Sequence, residues 1–182
     1  KETGITLGSE NAGNISTVEQ HKDIYSATSS YGQGITVTPI QLLQGYSAFA
    51  NNGVIMKPYI VDQIVKSNGF KEEQKPEILA QPISADTAQT IAAMLVRVID
   101  DGHAKRASVP GYFIAGKTGT AQIPRDGGVG YDANRHKDTF VGFGPVSDPQ
   151  FIGFVKIDEP NDVQWADGSA APLFGDIAKF LV

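Results

Sequence analysis

The chain has 182 residues, 41% of them hydrophobic and 19% charged. That is the size of one domain or a large piece of one, with apolar material enough for a core, so a disordered polypeptide is excluded. Fifteen Lys and Arg against twenty Asp and Glu leave a net charge of −5, which disfavours nucleic-acid binding; the absence of cysteine excludes disulfides, thiol catalysis and cysteine-bound zinc or iron–sulfur sites.

The chain opens at Lys1, inside the pattern Gly4-Ile5-Thr6-Leu7-Gly8, and is expected to be an excised segment without leader or anchor. Its longest helical apolar run, residues 91–99, is broken by Arg97 and too short for a bilayer. Residues 1–37, rich in Gly, Ser, Thr and Asn, predict loops around short elements. A helix is expected from Thr38, with Thr38 as cap, Pro39 at the first helical position and Gln41 at capping-box spacing. Ile40, Leu43, Tyr46, Phe49 and Ala50 share one of its faces, and Asn51-Asn52-Gly53 stops it. Residues 54–67 predict extended chain ending in a Ser67-Asn68-Gly69 turn, and polar residues 71–81 a surface loop.

A second helix is predicted over 84–101, capped by Ser84 and closed by Gly102, with Ile91, Met94, Leu95, Val98 and Ile99 as its core stripe. Three strand-like runs follow at 112–122, 139–146 and 151–157. The last two are joined by Ser147-Asp148-Pro149-Gln150 as a hairpin, residues 124–137 form a loop, and 172–182 a closing helix. Helices preceding a run of antiparallel strands indicate an α+β layer structure.

His21, His103 and His136 are far apart and lack metal-ligand spacing, so no metal is expected. There is no G-x-S-x-G elbow, and Asp100-Asp101 and Asp158-Glu159 read as solvated acids at element ends. Residues 111–118 match G-x-x-x-x-G-K-[ST] formally, but Tyr112-Phe113-Ile114 in the loop positions is strand chemistry, and Gly119 and Pro124 follow where a helix should begin. The same residues make more sense with Lys117-Thr118-Gly119-Thr120 on a strand. Period-two alternation then puts Thr118 and Thr120 on one face, offering hydroxyls beside a cation to an anionic substrate, while bare Gly119 admits another backbone.

The surroundings of that tetrad carry a resemblance. The run from Ser30 through Tyr31-Gly32-Gln33-Gly34 to Thr38-Pro39-Ile40-Gln41, followed by Ala48-Phe49-Ala50-Asn51-Asn52-Gly53, resembles the stretch upstream of K-T-G in class B penicillin-binding proteins, the peptidoglycan D,D-transpeptidases. Tyr31 and Asn52 are mild departures from the family's Phe and Gly. Lys117-Thr118-Gly119-Thr120-Ala121-Gln122 is similar to its K-T-G-T-A-Q, and 140–145, 157–160 and 168–174 to its following strand, closing strand and helix.

The resemblance implies a penicillin-binding, serine β-lactamase-like fold, an antiparallel sheet flanked by helices. A serine acyl-enzyme there cross-links stem peptides and is trapped by penicillins and other β-lactams. It gives Lys117 a catalytic role in the proton network, Thr118 the terminal carboxylate, and Gly119 the substrate backbone. Thr120 would supply hydroxyl and oxyanion contacts, with Gln122, Tyr131 and Trp165 as candidates for the rim. No cofactor is implied. One departure is plain: no serine here has a lysine three residues on, and Ser9-Glu10-Asn11 is a coincidental S-x-N. Residues 1–182 are therefore expected to be the C-terminal half of a transpeptidase domain. Its N-terminal half, divisome or elongation proteins and stem peptides would be its partners, and the whole would be membrane-anchored with an extracytoplasmic catalytic domain. Alternatives are a non-catalytic structural half and, more distantly, a P-loop nucleotide binder; β-lactamase or D,D-carboxypeptidase shares K-T-G but not the Tyr31–Gly34 stretch.

Overall fold

A computed structural model of the chain describes residues 2–6, 8–161 and 163–182; Lys1, Leu7 of the opening Gly-Ile-Thr-Leu-Gly pattern, and Asp162 lie outside the described residues. The chain divides into two units, residues 1–85 and 86–182.

In the first unit, residues expected as loops include a 3-10 turn, Val18–Gln20, and an eight-residue helix, α1 (Asp23–Ser30). No apolar stripe announces α1. Its Thr28, Ser29 and Ser30 hydroxyls donate back to the carbonyls of Tyr25, Ser26 and Ala27, satisfying the polar side chains within the helix itself. Helix α2 (Pro39–Ala50) starts with the expected capping box: Gln41 N donates to Thr38 Oγ1 at 3.3 Å and Thr38 N to Gln41 Oε1 at 2.9 Å. Gln41 Oε1 also accepts from Gly13 N at 2.9 Å, which pins the preceding segment to the cap.

Two small antiparallel pairs follow, β1 (Ile55–Met56) with β4 (Ile78–Ala80), and β2 (Gln63–Val65) with β3 (Lys71–Glu73). The surface loop expected over 71–81 is thus corrected to two short strands. β2, β3 and β4 are exposed throughout, so no buried face imposes the alternation by which a strand is read.

The second unit takes in α3 (Ala85–Asp100) from its second residue on, and the buried residues of that helix are Ala88, Ala92, Leu95 and Ile99. Met94, assigned to the core stripe from sequence, is 63% exposed. Small alanines carry the buried line, and a hydrophobicity pattern weights them less than Met. Then comes a three-stranded antiparallel sheet in the order β5 (Ala115–Pro124), β6 (Tyr131–Gly144), β7 (Phe151–Asp158), closed by α4 (Ala170–Leu181). The β6–β7 hairpin is the expected one.

Two boundaries differ. β5 starts at Ala115 and not at 112, because Gly111 takes φ +86° in the turn that pairs Val109 with Tyr112. The loop expected over 124–137 is mostly strand: Gln122 pairs with His136 and Pro124 with Tyr131. This extension is held by charge and not by burial, for Arg135 bonds Glu159 through Nε at 2.9 Å and Asp126 through Nη1 at 2.9 Å.

Beneath Phe174 of α4 the sheet carries a row of glycines. Gly116, Gly142 and Gly153 are register partners, one per strand, and make a row across all three. A Cβ on Gly142 or Gly153 would lie 2.9 Å from the Phe174 ring, and one on Gly116 2.5 Å from the Phe140 ring. Phe174 of α4 fills this trench against Phe140, with ring centroids 4.6 Å apart, and Phe151 at 6.2 Å. Phe140 and Phe174 are buried, in a cluster with Ile99, Ile114, Val155 and Ala178.

Candidate active site

β5 is an edge strand, paired only with β6 among the described residues. It continues through Lys117 and Thr118, so the helix that a phosphate-binding loop needs at this point is replaced by strand, and the P-loop alternative falls. Register partners share a face, so Thr118 and Thr120 stand with Phe140 and Asp138 of β6, on the side that α4 covers. Lys117 and Gly119 belong to the opposite alternation.

Thr118 and Thr120 line a cleft of about 300 Å³ with His103, Trp165, Ala166 and Asp167. The two hydroxyls are differently placed. Thr120 Oγ1 accepts from Ala166 N at 3.1 Å, which leaves its own hydrogen to donate. The Thr118 hydroxyl has no protein hydrogen-bond partner among the described residues, and its side chain faces the cleft. Lys117 is exposed and its Nζ donates to the Thr118 carbonyl at 2.8 Å.

Gly119 has a reason beyond the expected approach of a second backbone. A Cβ there would lie 2.6 Å from Thr139 Oγ1, its cross-strand neighbour, and that hydroxyl donates to Gly119 O at 3.3 Å. Gln122 is exposed opposite His136, and neither it nor Tyr131 lines the cleft. Trp165 does, at 58% exposure.

His103 was legible only as an isolated histidine. The turn after α3 brings it to this cleft and to an adjoining cavity of about 390 Å³ with Lys105, Arg106, Trp165 and Asp167. Behind the cleft, His136 Nδ1 lies 2.9 Å from Asp138 Oδ1 and its Nε2 3.2 Å from Val163 O. Both facing atoms are acceptors, so both contacts are hydrogen bonds together when each ring nitrogen carries a proton. Among the described residues no group of three or more His, Asp or Glu side chains is placed to hold a metal.

On the surface of the β6–β7 pair, the Arg135 guanidinium holds the Glu159 carboxyl below its ordinary range, through hydrogen bonds and then charge. Lys156 does the same for Asp158, with Lys137 adding charge.

The profile of the penicillin binding protein transpeptidase domain matches residues 1–179. The chain belongs to the penicillin-binding protein transpeptidase family. It is 37% identical over 184 residues to stage V sporulation protein D of Bacillus subtilis, covering 98% of this chain and 28% of that protein. It is 36% identical to penicillin-binding protein PbpB of Mycobacterium tuberculosis over 99% of this chain and 28% of that one. The crystal structure of penicillin-binding protein 3 from M. tuberculosis superposes with a TM-score of 0.89 at 35% identity, over 99% of this chain and 42% of that one. Further structures of that protein hold aztreonam and ampicillin. The chain thus spans less than a third of these two curated relatives. The α+β fold expected from the resemblance is the fold of these transpeptidase domains. Among the described residues no helix is long and apolar enough to cross a membrane.

Proposed function

We propose that this transpeptidase chain supplies the substrate-binding wall of a peptidoglycan D,D-transpeptidase, and that the acylated serine lies in polypeptide outside residues 1–182. The observation that carries the reading is the pair of threonines on β5. Thr118 offers the cleft a hydroxyl with no protein partner, and Thr120 offers a hydroxyl oriented by Ala166 N. Two hydroxyl donors on one strand face, beside the Lys117 cation, suit the terminal carboxylate of a D-Ala–D-Ala stem peptide or of a β-lactam. The Thr120 backbone N–H serves as an oxyanion donor, a contact worth about 3 kcal/mol in the transition state. Lys117 adds positive potential and joins the proton network, the substrate lies along β5 as an added strand past Gly119, and Gln122 contacts it further out.

The serine attacks the substrate carbonyl, expels D-Ala and forms an acyl-enzyme that a second stem-peptide amine resolves. β7 pairs with β6 alone among the described residues, and its other edge is where the remaining part of the domain adds strands. The complete protein is membrane-anchored with this domain extracytoplasmic, and works with septal or elongation proteins.

The absence of any S-x-x-K serine favours a second statement, that residues 1–182 alone are not acylated. Mass spectrometry after incubation with a labelled penicillin tests both. The complete protein gains one penicillin mass on a serine outside this chain, and residues 1–182 gain none. An adduct on a serine of this chain, or none on the complete protein, overturns the reading.

A further inference from the structure

Asp138 is fully buried and has no part in the binding chemistry above. It stands on β6 in register with Thr120 of β5 and Ile157 of β7. Its oxygens are divided between two donors: Oδ1 lies 2.9 Å from His136 Nδ1, and Oδ2 accepts from Ser169 Oγ at 2.5 Å. His136 in turn reaches Val163 O through Nε2. Ser169 occupies the N-cap position of α4, yet its side chain makes no capping bond; the hydroxyl goes to Asp138.

These contacts hold both ends of segment 163–169, Val163 at one and Ser169 at the other. Between them Gly168 N bonds Trp165 O, and the first turn of α4 ties back through Ala171 N to Ala166 O, each at 2.9 Å. The result delivers Ala166 N to Thr120 Oγ1 and places Trp165 and Asp167 along the cleft.

We propose that Asp138, acting through His136 and Ser169, is a positioning residue for this cleft. It clamps segment 163–169 over the sheet so that Ala166 N orients the Thr120 hydroxyl and Trp165 and Asp167 wall the substrate. The residue type follows from the task. The two donors meet two different oxygens of one buried side chain, which a carboxylate offers and an amide, with an NH2 donor in place of the second oxygen, does not. The consequence for catalysis rests on the function proposed above; the clamp itself does not.

The experiment uses the complete protein with Asp138→Asn, Ser169→Ala and Ser169→Thr, and reads two quantities. Amide hydrogen exchange of the peptide containing Ala166 reports the clamp without reference to activity. Acylation by penicillin, corrected for the folded fraction and separated into initial binding and acylation rate, reports the chemistry. Asp138→Asn and Ser169→Ala should each raise exchange at Ala166 at least tenfold. Misplacement of this order slows acylation about ten- to a hundredfold. Ser169→Thr, which keeps the hydroxyl, should restore both. In a Thr120→Val background the Asp138→Asn effect on acylation should shrink, because the two act through one contact.

Should Asp138→Asn fail to fold, Ser169→Ala removes one bond and still decides. Unchanged exchange at Ala166 in the variants that fold overturns the clamp. A slower rate wholly accounted for by unfolded protein, or strict additivity with Thr120→Val, overturns its link to the chemistry. Absence of acylation in the unsubstituted protein would fall on the proposed function instead, with the exchange result standing.

Discussion

Thr118 and Thr120 are the same residue type two positions apart on one strand face, and the same substitution should cost stability at one and not at the other. Threonine to valine keeps the branched shape and strand preference and removes only the hydroxyl. At Thr120 that hydroxyl accepts from Ala166 N, whose residue is 1% exposed, so Thr120→Val strands a buried N–H. Leaving such a donor unpaired costs about 1–3 kcal/mol. At Thr118 no protein group depends on the hydroxyl among the described residues, so Thr118→Val should stay within about 0.5 kcal/mol of the parent. Acylation should fall for both: a lost hydrogen bond to a carboxylate is worth about 1.5–3 kcal/mol, or roughly ten- to a hundredfold in rate. Urea denaturation of the complete protein, beside stopped-flow acylation with a chromogenic β-lactam, measures both quantities. If Thr118→Val destabilises as much as Thr120→Val while acylation stays at the parental rate, the division between a substrate hydroxyl and a structural one is wrong.

Lys117→Ala should slow acylation by a similar factor with little change in urea midpoint, because the side chain is exposed and, among the described residues, hydrogen-bonds only the neighbouring Thr118 carbonyl. Gly142→Ala should destabilise by about 1–3 kcal/mol through overpacking, since its Cβ would meet Ala115 O at 2.7 Å and the Phe174 ring at 2.9 Å; thermal unfolding checks this. Glu159 has its carboxyl held down by Arg135, so its contribution to stability is present above the unfolded value near pH 4.3 and is lost as pH falls through the lower folded value. Arg135→Gln should bring the Glu159 titration, followed by NMR, back toward the ordinary range and flatten the acid limb of the stability profile.

The strongly patterned parts of the chain were legible. Thr38, Pro39 and Gln41 announced α2 down to its capping box, and the turn at 147–150 between two β-branched, aromatic runs announced the β6–β7 hairpin. What escaped was structure held by something other than an apolar stripe: α1, whose hydroxyls satisfy themselves; the exposed strands β2 to β4; and the Arg135-clamped extension of β6. At the site, Lys117 to Thr120 stood out because a tetrad contiguous in sequence is contiguous on a strand. His103, Asp138, Ala166 and Ser169 did not, because they meet only through tertiary structure. Each has an ordinary local explanation, Ser169 as a helix cap above all. A cap residue that surrenders its capping bond shows itself only when the partner across 31 residues is in view.

The glycine trench sets a datum for all of this. Phe174 lies five residues beyond Ser169 on the same polypeptide, and its ring rests on bare main chain of two strands with Phe140 filling the third. The height of α4 above the sheet is therefore fixed by peptide planes, which shift far less than side-chain rotamers do. Segment 163–169 hangs from the near end of that helix, so the width of the cleft is gauged against backbone. Any residue larger than glycine in the trench would act as a shim, tilting the helix end and opening the threonine wall from a distance, without touching a single group that meets the substrate.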